Sequence, residues 1–160
     1  ISSLLIKSLK IGKVVLVTNA LLVWINNCLS ILPKTTKVIR NNIEVISARE
    51  SYVLEYPSSN WKVFTFRDVL TKLCGQKKVQ HILSIGDSLS EYYALINLRT
   101  WQNCSPKYRL LKSIKFLNYS TYRDYDSYLI LIDQIKVLYK NLNKINSINN
   151  HIDLVFSIKK

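Results

Sequence analysis

Two carboxylates follow the apolar run at 81–85 in the segment Gly86-Asp87-Ser88-Leu89-Ser90-Glu91. A buried strand that ends in Gly-Asp and opens into a helix puts the aspartate at the carboxyl edge of a sheet, where open α/β folds bind their ligands. Glu91 follows Asp87 by one helical turn, so both carboxylates could face one Mg²⁺ ion. Without a metal, the same pattern predicts that Asp87 is the helix N-cap and that Glu91 is solvated.

Two further positions have the chemistry to bind a phosphate group. Thr18-Asn19 ends the apolar run at 14–17, and a hydroxyl there can hydrogen-bond a phosphate oxygen with help from backbone amides at the next helix start. Lys62 falls at the start of a predicted helix, where an ammonium group can offset the charge that develops during phosphoryl transfer. Taken singly, Thr18 also suits a strand end and Lys62 a surface position. Their order along the chain, followed by Asp87, suggests convergence on one crevice.

Apolar periodicity predicts the elements that would position these residues. Strands are expected at 13–17, 43–46, 79–85 and 107–116, helices at 2–11, 20–31, 33–40, 61–73, 89–98 and 125–144, a loop from 47 to 60 and a short apolar tail at 152–156. Alternation of strand and helix predicts an α/β fold with a Rossmann-like parallel sheet and helices on both faces. No repeat or linker divides the chain, so we expect one domain over residues 1–160.

Composition is that of a globular protein with a substantial core. The chain has 160 residues, of which 48% are hydrophobic and 21% charged, and this balance excludes a disordered or fibrous chain. Its three cysteines, Cys28, Cys74 and Cys104, have no zinc-type spacing. We therefore expect reduced thiols and a cytoplasmic protein.

The formal net charge of +13 permits anionic partners such as phosphorylated substrates, nucleic acid or acidic membranes. The lysines are spread along the chain, and its richness in Ile, Asn, Lys and Tyr is typical of AT-rich coding. We favour a general basic surface over a dedicated nucleic-acid face. The alternative, nucleic-acid binding through this charge, predicts a steep salt dependence of binding. Residues 14–32 are uncharged and close to the length of a spanning helix, but Thr18, Asn19, Asn26 and Asn27 oppose membrane insertion. A strand followed by a helix is expected there instead.

Three features follow one another along the chain: Thr18 at the end of a strand, Lys62 at the start of a helix, and Asp87 and Glu91 after a strand that ends in glycine. This order resembles the haloacid dehalogenase-like (HAD) superfamily of Mg²⁺-dependent phosphohydrolases. The chain is most similar to an uncharacterised HAD-like group common in protists. That similarity covers nearly the whole sequence. The matching segments are VTNA with Trp24, ISARESYVLEYP, WKVF, GDSLSEYYAL, IKFL, Asp133-Gln134 and HIDLVF.

This resemblance implies phosphomonoester hydrolysis through an aspartyl-phosphate. It implies that Thr18, Asn19 and Lys62 bind the phosphoryl group, that Lys62 also serves catalysis, and that Asp87 and Glu91 hold Mg²⁺. The substrate would be a phosphorylated small molecule or protein.

One departure affects the expected mechanism. The family's first motif, Asp-x-Asp-x-Thr after a strand, supplies the nucleophile and has no counterpart in this sequence. Asp124-Tyr125-Asp126 comes after Asp87 and Glu91, which match the family's fourth motif, and no apolar strand leads into it, so we reject it. We expect a chain that is truncated at its N-terminus, lacks the first-motif strand and is inactive alone. The alternative is a non-catalytic HAD-like binding or scaffold protein.

Overall fold

The computed structural model describes residues 1–74, 79–101, 109–117 and 125–156. The described elements, in chain order, are α1 (Ser2–Ile11), β1 (Val15–Thr18), α2 (Leu22–Ser30), α3 (Pro33–Asn42), β2 (Glu44–Ser47), α4 (Ala48–Tyr52), α5 (Trp61–Cys74), β3 (His81–Gly86), α6 (Leu89–Asn97), β4 (Leu110–Lys115), α7 (Tyr125–Ser147) and β5 (Ile152–Val155). They form two compact units, residues 1–65 and 66–160.

The first unit contains a two-stranded parallel sheet, in which Val15 of β1 is in register with Glu44 of β2. Residues that alternate along a strand point to opposite faces, and Leu16 and Val45 point to the same face. Three helices cover that face. The core there is formed by Leu29 of α2 and Ile39 of α3 with side chains from α1, β1 and β2.

The second unit contains a three-stranded parallel sheet in the order β3-β4-β5. On one face, Leu111 of β4 packs with Leu70 of α5, with Leu95 of α6 and with Leu98, the residue that follows α6. Lys112 points to the opposite face, where its Nζ reaches the last turn of α7. Helices therefore lie on both faces of this sheet.

A fully buried lysine joins β4 to the end of α7. Lys112 Nζ donates hydrogen bonds to the carbonyl oxygens of Ile145 (2.8 Å) and Asn146 (2.7 Å) and lies 3.3 Å from His81 Nδ1. The last carbonyls of a helix have no partner within the helix and carry partial negative charge. Lys112 therefore provides, from a strand, the cap that α7 needs.

The predicted alternation of strands and helices is confirmed, as is the α/β class with parallel pairing. In place of one continuous sheet, the described strands hydrogen-bond as two smaller ones. The loop expected from residue 47 was wrong at its start, because α4 begins at Ala48 with Ser47 as its N-cap. The apolar tail forms β5.

Residues 14–32 form β1 and α2, as expected. Among the described helices, none combines the length and the apolar character needed to cross a membrane.

Candidate functional site

The segment after β3 builds a capped helix start. Ser88, and not Asp87, is the N-cap of α6, so that part of the metal-free prediction was wrong. Glu91 Oε2 accepts hydrogen bonds from the Ser88 backbone N–H (3.1 Å) and from its hydroxyl (2.6 Å), which completes a capping box. Glu91 is therefore not simply solvated either. It folds back over the end of β3.

Gly86 makes room for that carboxylate. A Cβ atom at position 86 would lie 2.5 Å from Glu91 Cγ and 2.7 Å from its Cδ, far inside contact distance. We expect Gly86→Ala to lower the free energy of unfolding by about 1–2 kcal/mol, because Glu91 must swing away and the capping box is lost. Urea denaturation of the two proteins measures the difference.

A double-mutant cycle supplies the control. In a Glu91→Ala background the three atoms nearest to the added methyl group are gone, so Gly86→Ala should then cost about 0 kcal/mol. An equal loss of stability in both backgrounds would show that the close approach of Glu91 to Gly86 is not the reason glycine is needed.

Asp87 has the position that a metal ligand requires. Its side chain is exposed directly after the carboxyl end of β3. Within the described part of the chain it makes no side-chain hydrogen bond or ion pair. Mg²⁺ in proteins typically takes one or two carboxylates and completes its six ligands with water and phosphate oxygens. Asp87 fits that role, whereas Glu91 already holds the start of α6.

A larger protein-built metal cage is not seen in the described ranges 1–74, 79–101, 109–117 and 125–156. These contain no group of three or more His, Cys, Asp or Glu side chains that could hold a metal ion.

The end of β1 has a compact turn at Thr18-Asn19. Thr18 Oγ1 accepts a hydrogen bond from the Ala20 N–H (3.0 Å), and Asn19 Oδ1 is buried without a hydrogen-bond partner. The backbone amides at the start of the next helix were expected to help bind a phosphate group. One of them, the Leu22 N–H, donates instead to Glu50 Oε1 (2.8 Å). A carboxylate of the chain itself thus occupies the positive end of α2.

Sequence reasoning missed Glu50, although a signal was present. Ser47-Ala48-Arg49-Glu50 has the S-x-x-E spacing of a helix start. The structure uses it in a modified way: Ser47 Oγ accepts from the Glu50 N–H (3.1 Å), while the Glu50 side chain reaches α2 instead of returning to Ser47.

Lys62 lies in the first turn of α5, as predicted, but it is not a surface residue. Its side chain is only 8% exposed. Burying an ammonium group is costly unless polar groups solvate it. The surface position that Lys62 suggests when it is taken singly is therefore wrong.

Gln134 of α7 is a second residue whose role the sequence did not show. Its Oε1 accepts a hydrogen bond from the Leu117 N–H (3.0 Å), just beyond the carboxyl end of β4, and its Nε2 is buried without a partner. Since the Phe116 N–H donates to the Gly86 carbonyl (2.7 Å), Leu117 belongs to the same sheet edge as Asp87. Gln134 therefore fixes the backbone beside the candidate metal ligand.

The second unit also has a pocket of about 190 Å³ that lies away from Asp87. It is lined by residues of α6 and by residues near the amino ends of β4 and β5, among them Tyr92, Leu111 and His151. His151 Nδ1 accepts a hydrogen bond from the Leu111 N–H (3.1 Å), which gives this histidine a structural partner. Neither this pocket nor His151 contributes to the carboxyl edge.

The architecture supports the coarse class, a mixed α/β chain with small parallel sheets flanked by helices. Thr18, Asn19 and Lys62 belong to the first unit, and Asp87 and Glu91 to the second. The chain was also compared with protein-family models, curated proteins and solved structures, and none of the three comparisons found a match.

Proposed function

We propose that this chain binds Mg²⁺ and a phosphoryl group as part of a HAD-like phosphohydrolase. The observation that carries the proposal is Asp87, an exposed carboxylate at the carboxyl end of β3 immediately before a capped helix. The parallel pairing of β3 with β4 and the helices on both faces support a Rossmann-like arrangement around it.

Each proposed role follows from the residue's chemistry. Thr18 and Asn19 would bind phosphoryl oxygens at the end of β1, and the ammonium of Lys62 would balance their charge during transfer. Asp87 and Glu91 would hold Mg²⁺ directly or through water, with Glu91 also maintaining the capping box. Mg²⁺ would polarise the phosphoryl group and neutralise its charge.

The substrate class is a phosphomonoester of a small molecule or a protein. The setting we propose is the cytoplasm. Cys28 and Cys74 form no disulfide among the residues that the structure describes, which suits a reducing compartment.

Hydrolysis through an aspartyl-phosphate requires a nucleophile that these 160 residues do not contain in the family's pattern. We therefore expect the purified chain to show no turnover of p-nitrophenyl phosphate with Mg²⁺ present. The assay is run beside Asp87→Asn. Turnover by the unmodified chain that Asp87→Asn abolishes would contradict the claim that the nucleophile is missing.

A non-catalytic HAD-like binding or scaffold protein is the second candidate. It is favoured by the use of Glu91 as a capping residue and by the absence of a three-member metal cluster among the residues that the structure describes. The two candidates differ in one property. A scaffold needs no Mg²⁺ at Asp87, whereas a phosphohydrolase does.

A further inference from the structure

We propose that the outer surface of α1, α2 and α3 docks on an anionic phospholipid bilayer. We call it the basic helical face. It is defined by its exposed cations and its exposed apolar side chains, namely Lys10, Lys13, Lys34, Lys37, Arg40, Leu21, Val23, Trp24, Ile31 and Leu32. This inference is independent of the proposed phosphoryl chemistry.

The first argument is charge. Residues 1–43, which contain all three helices, include six basic residues and no acidic residue. Five of these cations are exposed: Lys10, Lys13, Lys34, Lys37 and Arg40. The remainder of the chain mixes both signs, so the excess on this face is local. Glu50, whose carboxylate accepts a hydrogen bond from the Leu22 N–H, is an acidic side chain at the start of α2, so the five exposed cations leave a net positive charge, which attracts an anionic partner.

The second argument is exposed apolar area on an uncharged helix. α2 has no charged side chain, and its inner residues Ile25 and Leu29 fill the core. On the outside, Val23 is 65% exposed, Trp24 61% and Ile31 78%, and Leu21 and Leu32 are also exposed. These residues do not stabilise the core of the unit. Large apolar residues grouped on one surface mark an interaction site.

The position of the cations relative to the apolar residues favours lipid. Lys34 follows Ile31 and Leu32 by two to three residues, and Lys37 lies one turn further along α3. Apolar residues bordered by lysines, with tryptophan among them, are typical of helices that lie in a membrane interface. A nucleic acid offers phosphates to the lysines but no counterpart for Val23 and Ile31.

The geometry implies binding on the bilayer and not across it. α2 has nine residues and is about 14 Å long, about half the hydrocarbon thickness of roughly 30 Å. Trp24 would sit at headgroup level while the lysines contact anionic headgroups.

Co-sedimentation with vesicles tests the proposal on the full chain. The chain should bind vesicles of phosphatidylcholine mixed with phosphatidylserine and should bind pure phosphatidylcholine weakly. Lys34→Gln with Lys37→Gln should weaken binding about thirtyfold, and Trp24→Ser about tenfold. The matched controls, Lys140→Gln with Lys144→Gln on α7 and Leu54→Ser, which replaces a 97% exposed leucine outside α1–α3, should bind as the unmodified chain does.

Three results would overturn it. The first is equal binding to both kinds of vesicle, and the second is an equal loss of binding in the control variants. The third is binding of a DNA duplex, or self-association seen by light scattering, that depends on these residues while anionic vesicles are not bound.

Discussion

Replacing Lys112 by methionine should lower the free energy of unfolding by about 2–4 kcal/mol. The substitution keeps most of the side-chain volume but removes the donor that the carbonyl oxygens of Ile145 and Asn146 share. Both carbonyls then lose their charged partner at the buried end of α7, and each unsatisfied polar group costs about 1–3 kcal/mol. The substitution also removes the cost of desolvating the ammonium group, and this offsets part of the loss of stability. Urea denaturation followed by circular dichroism measures it.

The matched control is Lys140→Met, an exposed lysine on the same helix. It should change stability by no more than about 0.5 kcal/mol. If Lys112→Met is as stable as the unmodified protein, the cost of burying the ammonium group outweighs its hydrogen bonds, and Lys112 is not a stabilising cap.

The same lysine gives a signed pH dependence. Burial lowers the pKa of Lys112 from its usual 10.5. Between the lowered pKa and 10.5, the unfolded chain binds a proton at this position and the folded chain does not, so stability rises with pH there. The stability difference between the unmodified protein and Lys112→Met should therefore grow in favour of the unmodified protein as pH rises through that window. Using the difference between the two proteins cancels the other titrating groups.

The sequence predicts local structure well where one strong signal marks it. The helix of residues 2–11 and the helix beginning at Pro33 lie where apolar spacing and end signals place them. The helix after Gly86-Asp87 was also expected, but its cap was assigned to the wrong residue. Aspartate and serine are both good N-caps, but Ser88-Leu89-Ser90-Glu91 has the S-x-x-E spacing of a capping box, and this signal for Ser88 was missed.

Features that depend on a distant partner were not visible in the sequence. Lys112 lies in the strand sequence LLKSIK. The alternation of side chains along a strand assigns Lys112 to one face of the sheet but does not show whether that face is exposed to solvent. Its burial depends on the end of α7 lying above it, about 30 residues later in the chain. The contact of Glu50 with the start of α2 likewise joins residues 28 apart. Strand alternation predicts parallel pairing but not which strands are neighbours.

The candidate site also combines features that the sequence predicted with features that it did not predict. Residue order predicted Asp87 at the carboxyl end of a strand, and the structure places it there. The S-x-x-E spacing from Ser88 is a signal for the capping role of Glu91, whereas the close approach of Glu91 to Gly86 is visible only in the structure. A local sequence pattern also could not predict that Lys62 is buried.

Asp87→Asn should weaken Mg²⁺ binding at least about tenfold, since even the loss of a residue that only orients a metal ligand costs 10–100-fold in affinity. The amide keeps the shape of the side chain but has lost the negative charge that a hard cation requires. The fold should not change, because Ser88 and Glu91 cap α6 without help from Asp87.

Calorimetric titration of the 160-residue chain with MgCl₂ measures this most directly. Asp153→Asn, an exposed aspartate on β5, is the matched control. The account predicts one Mg²⁺ site that Asp87→Asn removes and Asp153→Asn leaves intact. Mg²⁺ binding that is the same in all three proteins, or no binding to the unmodified chain, would contradict a metal-holding role for Asp87 and with it the proposed function.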